Sequence, residues 1–261
     1  MTVIKLKLAR VAVAAAALAL LTSAAPASAA TLPAHIVVPA YWYPGTSSWS
    51  NLAADGSPTV ANAILNPCAP DGTCSPGDAV NRATLSDMQE DQAAGITFYG
   101  YVWTNYGSVP IATAEAQIQD YAKWYGLKNV FLDGASTSCA TESSYYLPLY
   151  KYVHALGGKV ILNPGTTSNS CYMAASDMIE IFEGTQANLT SWSRPSWMAS
   201  YNRSRFLATV YQVSGTSAME ATARLAGTDG FGNVYVTDQA LPNPYAQLPT
   251  YWSTEVSYLG G

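Results

Sequence analysis

Histidine is nearly missing from this chain, and so is charge: of 261 residues only 11% are charged and only His35 and His154 carry imidazoles. His35 opens an apolar run and His154 sits in a helical stripe, so a Ser-His-Asp triad has no base and a His-ligated metal site has no ligands. Basic excess is missing too, with 12 Lys and Arg against 17 Asp and Glu. That excludes a nucleic-acid binder, which needs a cationic face for the phosphates. No Gly-rich phosphate turn follows the first apolar run, no cofactor motif appears, and no internal repeat or charge block divides the chain.

Long apolar runs are also lacking, apart from Val11 to Leu21. That run follows Lys5, Lys7 and Arg10 and precedes Ala27-Ser28-Ala29. It is too short to span a bilayer and reads as a secretory signal peptide over residues 1–29. The expected product is a secreted protein with no membrane contact after cleavage, a single domain over 30–261 acting as a monomer. Losing the leader removes three cations and no anion, so the surface becomes more acidic. Four cysteines remain, Cys68, Cys74, Cys139 and Cys171. An even number in an exported protein implies disulfides. Cys68 and Cys74 flank a turn-rich loop and are expected to pair, which leaves Cys139 with Cys171.

What the chain has in abundance is aromatic surface, 18 Tyr and 7 Trp. Short β-branched or aromatic runs alternate with helical periods. Strands are expected at 35–43, 59–66, 96–105, 129–133, 159–163, 178–183, 205–213 and 233–238. A stripe of Ile111, Ala114, Ile118, Tyr121, Ala122 and Tyr125 closes at Gly126. Another runs Leu149, Tyr152, Val153, Leu156, with Pro148 in its first turn. Asp78 is expected to cap a helix ending near Gly95. Eight such units in about 230 residues fit an α/β fold, a single (β/α)8 barrel of the TIM type; an open doubly wound sheet is the alternative.

Barrel sites lie at the C-terminal strand ends. Those ends carry Tyr41, Trp42, Tyr43, Asn66, Trp103, Asn105, Tyr106, Asp133, Asn163, Glu183, Tyr211 and Asp238. Asp133 on strand four and Glu183 on strand six share barrel parity, so both can aim inward. With histidine and metal chemistry excluded, a carboxylate pair of glycosidase type remains, at a spacing compatible with retention and with the inverting range still open. Sugars offer apolar C–H faces and hydroxyl fringes, which suit Tyr and Trp beside Asn and Asp. The raised pKa is expected at Glu183, near Phe182 and Tyr211. Glu180 is expected to face the helices, and Asp238 is divided between sugar binding and capping its loop.

Several segments resemble a known family. Val38-Pro39-Ala40-Tyr41-Trp42-Tyr43-Pro44-Gly45, Gly100-Tyr101-Val102-Trp103-Thr104-Asn105-Tyr106-Gly107, Asn163-Pro164-Gly165-Thr166, Phe182-Glu183-Gly184 and Tyr235-Val236-Thr237-Asp238 are similar to the spherulin-four proteins. The resemblance implies a (β/α)8 barrel. It also implies activity like that of fungal endo-α-1,4-N-acetylgalactosaminidases, which cut galactosaminogalactan, a partly deacetylated exopolysaccharide. By resemblance Asp133 and Glu183 match the family's acidic strand ends. One departure is Gly134, where the fungal enzymes carry Glu. The expectation is therefore a cofactor-free glycoside hydrolase with a polysaccharide or oligosaccharide substrate, Asp133 as nucleophile or charge stabiliser and Glu183 as acid. The alternative is a non-catalytic carbohydrate-binding barrel, with Glu142 a substitute acid if a third carboxylate is needed.

Overall fold

Runs such as Ile36-Val37-Val38 and Val130-Phe131-Leu132 are apolar on both faces, as strands covered inside and outside must be. The computed structural model describes residues 31–55, 58–67 and 75–261. In it the strands β1 (His35–Ala40), β2 (Val60–Leu65), β3 (Thr97–Trp103), β4 (Val130–Asp133), β5 (Val160–Leu162), β6 (Met178–Thr185), β7 (Phe206–Tyr211) and β8 (Asn233–Val236) follow one another. Each pairs in parallel with the next, and β8 pairs with β1, so the sheet closes in sequence order. The expected barrel is confirmed.

Helices cover the outside: α1 (Ser47–Ala54), α2 (Arg82–Ala93), α3 (Ile111–Tyr125), α4 (Leu147–Ala155), α5 (Gln186–Ser191), α6 (Thr216–Thr228) and α7 (Trp252–Gly260). Between β5 and β6 the chain makes only a 3-10 turn, Ser170–Ala174. Helix α3 buries Ala114, Ile118, Tyr121 and Tyr125 of its stripe and ends at Gly126, whose φ of 71° is the left-handed C-terminal turn glycine adopts without strain. Helix α2 starts differently from expectation. Its cap is Asn81, whose side chain accepts from the Thr84 N–H, so Asp78 lies one turn outside.

The core is in two parts. A large one lies between strands and helices, and a smaller one, Val37, Ile64, Tyr99, Tyr101, Phe131, Ile161 and Leu207, fills the barrel. That inner plug floors the cleft above it.

Cys139 and Cys171 are bonded with Cα atoms 5.8 Å apart, joining the loop after β4 to the loop after β5. Cys68 and Cys74, like the expected signal peptide, lie outside the described residues. Replacing Cys139 and Cys171 together by Ser is expected to cost about 2–4 kcal/mol, because a 32-residue loop is freed in the unfolded chain. Chemical denaturation checks this; an unchanged midpoint would contradict it.

Asp91 on α2 is fully buried, and neither of its carboxyl oxygens has a hydrogen-bond partner among the described residues. Burial, then the charges of Asp87 and Glu90, push it up to about 8. In the unfolded chain it ionises near its ordinary value of about 4. An acid raised on folding costs stability as pH climbs from about 4 to about 8. Asp91→Asn is therefore expected to raise Tm by several degrees at pH 8 and hardly at all at pH 4. Equal shifts at both pH values would show that packing, not charge, sets the cost.

Candidate active site

Strand ends meet at a cleft of about 370 Å³, lined by Tyr41, Asn66, Tyr101, Asp133, Asn163, Gly165, Glu180, Glu183, Tyr211 and the Leu241–Tyr245 segment. Asn163 holds its centre. The Asn163 Nδ2 group donates to Asp133 Oδ1 at 2.9 Å and to Glu183 Oε2 at 3.2 Å. One nitrogen at those distances keeps the two oxygens within about 6 Å of each other. The orientation of the amide is fixed, since its Oδ1 accepts the Gly165 N–H at 2.5 Å and the NH2 must face the carboxyls.

Each carboxyl has a second donor, a tyrosine. Tyr101 OH donates to Asp133 Oδ2 at 2.5 Å, and Tyr245 OH donates to Glu183 Oε1 at 2.5 Å. Burial raises both phenols well above their ordinary range, and the adjacent carboxylates raise them further, so they stay protonated as donors. Tyr41 stands between them, edge-on to Tyr101 at 5.5 Å and to Tyr245 at 5.9 Å. Three rings thus fix two hydrogen bonds.

Burial pushes the Asp133 carboxyl up to about 6, and the Glu183 charge adds to this. The Tyr101 hydrogen bond and the Asn163 and Gly134 N–H groups pull it back. The sequence places the raised carboxyl at Glu183, on an apolar surround of Phe182 and Tyr211 and on the nearby Asp133. Of these Phe182 drops out, because it turns outward into the helix layer, with its ring 6.2 Å from Trp192, while Tyr211 lines the cleft.

Its outward turn comes from a bulge in β6. Glu180 pairs with Leu207 and Phe182 with Ala208, so Ile181 is an extra residue and the in-out alternation slips by one. Glu180 and Glu183, three apart, therefore both face the cleft. This corrects the reading of Glu180 as facing the helices. It is buried beneath the pair, and desolvation, then the charge of Glu183, raises it well above its ordinary range. Such a group is held neutral.

Of the other strand-end residues, Asn66 lines the cleft with its Oδ1 buried and without a hydrogen-bond partner among the described residues, and Tyr211 lines it as well. Trp42 is only 1% exposed and packs edge-on to Trp49 at 5.2 Å. Its side chain lies in the helix layer because its neighbour Tyr41 points into the barrel. It is no sugar platform. Asp238 accepts from the Thr250 N–H at 3.2 Å, from the Thr250 hydroxyl and from Gln239 at 2.8 Å. It pins the C-terminal loop and does not line the cleft, which decides for the capping role. Glu142 is buried elsewhere and does not serve as the substitute acid. Tyr43, Trp103, Asn105 and Tyr106 stand exposed on the rim outside the cleft lining. His154 pairs with Asp177 at 2.9 Å and His35 bonds Pro58 O, both away from the cleft.

Sequence reasoning missed Tyr101, Gly165 and Tyr245. Tyr101 was within reach, two residues before Trp103 in a period-2 strand. Tyr245 arrives from a loop 62 residues beyond Glu183, and only the fold brings it there.

Comparison with known proteins agrees with this architecture. The model of the Spherulation-specific family 4 matches residues 35–259. Spherulin-4 of Physarum polycephalum is 36% identical over 238 residues, 86% of this chain and 70% of that protein. The crystal structure of Aspergillus clavatus Sph3 in complex with GalNAc superposes with a TM-score of 0.75 at 21% identity, covering 88% of this chain and 98% of that one. With its family model matched from the first strand to the last helix, the chain belongs to spherulation-specific family 4.

Proposed function

We propose that this chain is an exported glycoside hydrolase that cuts a polymer containing α-1,4-linked N-acetylgalactosamine, with Asp133 and Glu183 as the working pair. The observation that carries the reading is the Asn163 amide held between the two carboxyls at the floor of an open cleft. The GalNAc bound to the structural relative Sph3 supports the choice of sugar.

Each carboxyl accepts from Asn163 and from one tyrosine, and the unequal amide contacts support a division of roles. Asp133 receives the shorter amide contact and a tyrosine proton, so both its oxygens are set to carry negative charge. It acts as nucleophile, or steadies the positive charge that develops at the sugar carbon. Glu183 Oε2 has the looser amide contact and faces the open side of Gly165. That oxygen gives a proton to the leaving oxygen and later takes one from water. Glycosidases that retain configuration hold their carboxyls about 5–5.5 Å apart, and the limit set by Asn163 is compatible with that spacing.

Reducing-end release from a panel of polymers tests the reading. Galactosaminogalactan, acetylated and deacetylated, is compared with β-linked controls. Release is expected from the α-linked polymers alone. Saturable binding without cleavage of any polymer would overturn it in favour of a carbohydrate-binding barrel.

A further inference from the structure

Beside the cleft, on the β3–β4 side, two large rings are exposed. Trp103 is 42% and Tyr106 61% accessible, and their centroids lie 6.0 Å apart, edge to face. Both belong to a segment the fold holds tightly. Thr104, fully buried, receives the next strand through its N–H to Asp133 O at 2.9 Å, and the Tyr106 N–H donates to Gly134 O at 2.6 Å. Asn105 and Tyr106 take φ values of 46° and 57°, a left-handed pair that costs free energy for residues other than glycine. Such strain gathers where a side chain must be held in a set position. Here it holds a phenol out in water.

Gly134 completes the arrangement. A Cβ built there would fall 2.3 Å from the Trp103 ring, and φ is +60°. The indole therefore lies directly on the backbone that follows Asp133. Trp103 is paired with Asp133 in the sheet, so the exposed rings begin where the cleft ends. Across the mouth the Leu241–Tyr245 segment bounds the other side. A chain passing over the carboxyls from that segment runs onto the rings.

We propose that Trp103 and Tyr106 form an accessory subsite that stacks the apolar face of a further pyranose of the same polymer, so that affinity grows with chain length. This rests on the hydrolase reading for its ligand. The ligand is a neutral sugar ring, because each exposed ring offers a flat apolar face beside the cleft rather than a closed groove for a side chain.

The test titrates an α-1,4-linked N-acetylgalactosamine disaccharide and the corresponding hexasaccharide into the full chain carrying Asp133→Asn, the variant expected to cut them most slowly. The hexasaccharide is expected to bind about tenfold more tightly than the disaccharide. Adding Trp103→Ala or Tyr106→Ala is expected to abolish most of that gain, and Trp103→Phe to keep most of it. Quenching of tryptophan fluorescence by the hexasaccharide, lost in Trp103→Phe, provides a second readout. Equal affinity for the two sugars, or a gain that survives Trp103→Ala, would overturn the proposal. If the unmutated protein cuts nothing while the length-dependent gain is present and ring-dependent, the hydrolase reading fails and the subsite stands. If neither sugar binds, both fail.

Discussion

Asp133→Asn is expected to lower turnover by about four orders of magnitude or more while oligosaccharide affinity changes little. The substituted amide keeps the shape but cannot attack the sugar carbon or steady its charge, and its NH2 must face either the Asn163 or the Tyr101 donor. Glu183→Gln is expected to cost about 10²–10⁴-fold, the usual range for a general acid. That variant should be partly spared on substrates with activated leaving groups, which depart without a proton. Turnover on polymer and on an aryl glycoside, with calorimetric binding alongside, separates these effects. Full activity of Glu183→Gln on polymer would show that another group supplies the proton. Because the two carboxyls share one amide, the double variant should be little worse than Asp133→Asn alone.

The second large effect is on stability. Trp42→Ala is expected to destabilise the fold by about 3–5 kcal/mol, since it empties a fully enclosed site between β1 and α1. Trp42→Phe should be much milder, because the indole Nε1 is buried without a hydrogen-bond partner among the described residues and its removal relieves that cost. Denaturant unfolding reads both. A small change for Trp42→Ala with a loss of sugar affinity would restore Trp42 to the binding surface.

Trp42 also shows which part of the molecule its sequence could reveal. Alternation along a strand is visible in one dimension, and it placed all eight strands and put Asp133, Asn163 and Glu183 at their ends. The same period-2 rule, applied one residue further, would have sent Trp42 outward once Tyr41 was taken as inward. Glu180 lay beyond that rule. A bulge inserts one residue without any marker in Glu180-Ile181-Phe182-Glu183, and the parity argument then gives the wrong face. Tyr245 lay beyond it for another reason. Its loop has no periodicity, and only closure of the barrel brings the phenol to Glu183. The cap at Asn81 rather than Asp78 is a smaller case, in which two capable residues stood near one helix start and the side chain that reached the Thr84 N–H decided.

As proposed, Asp133 works as an anion set by Tyr101, with Glu183 beside it. The pH dependence of kcat/KM, measured for the unmutated protein and for Tyr101→Phe, tests it most directly. Asp133 titrates at about 6, and its ionised form is the one required, so activity should fall as pH drops through about 6. Tyr101→Phe removes the hydrogen bond that holds this value down, so the acid limb should move to higher pH. An acid limb that stays in place in Tyr101→Phe, or activity that instead rises as pH drops through 6, would contradict the assignment of Asp133 as the working anion.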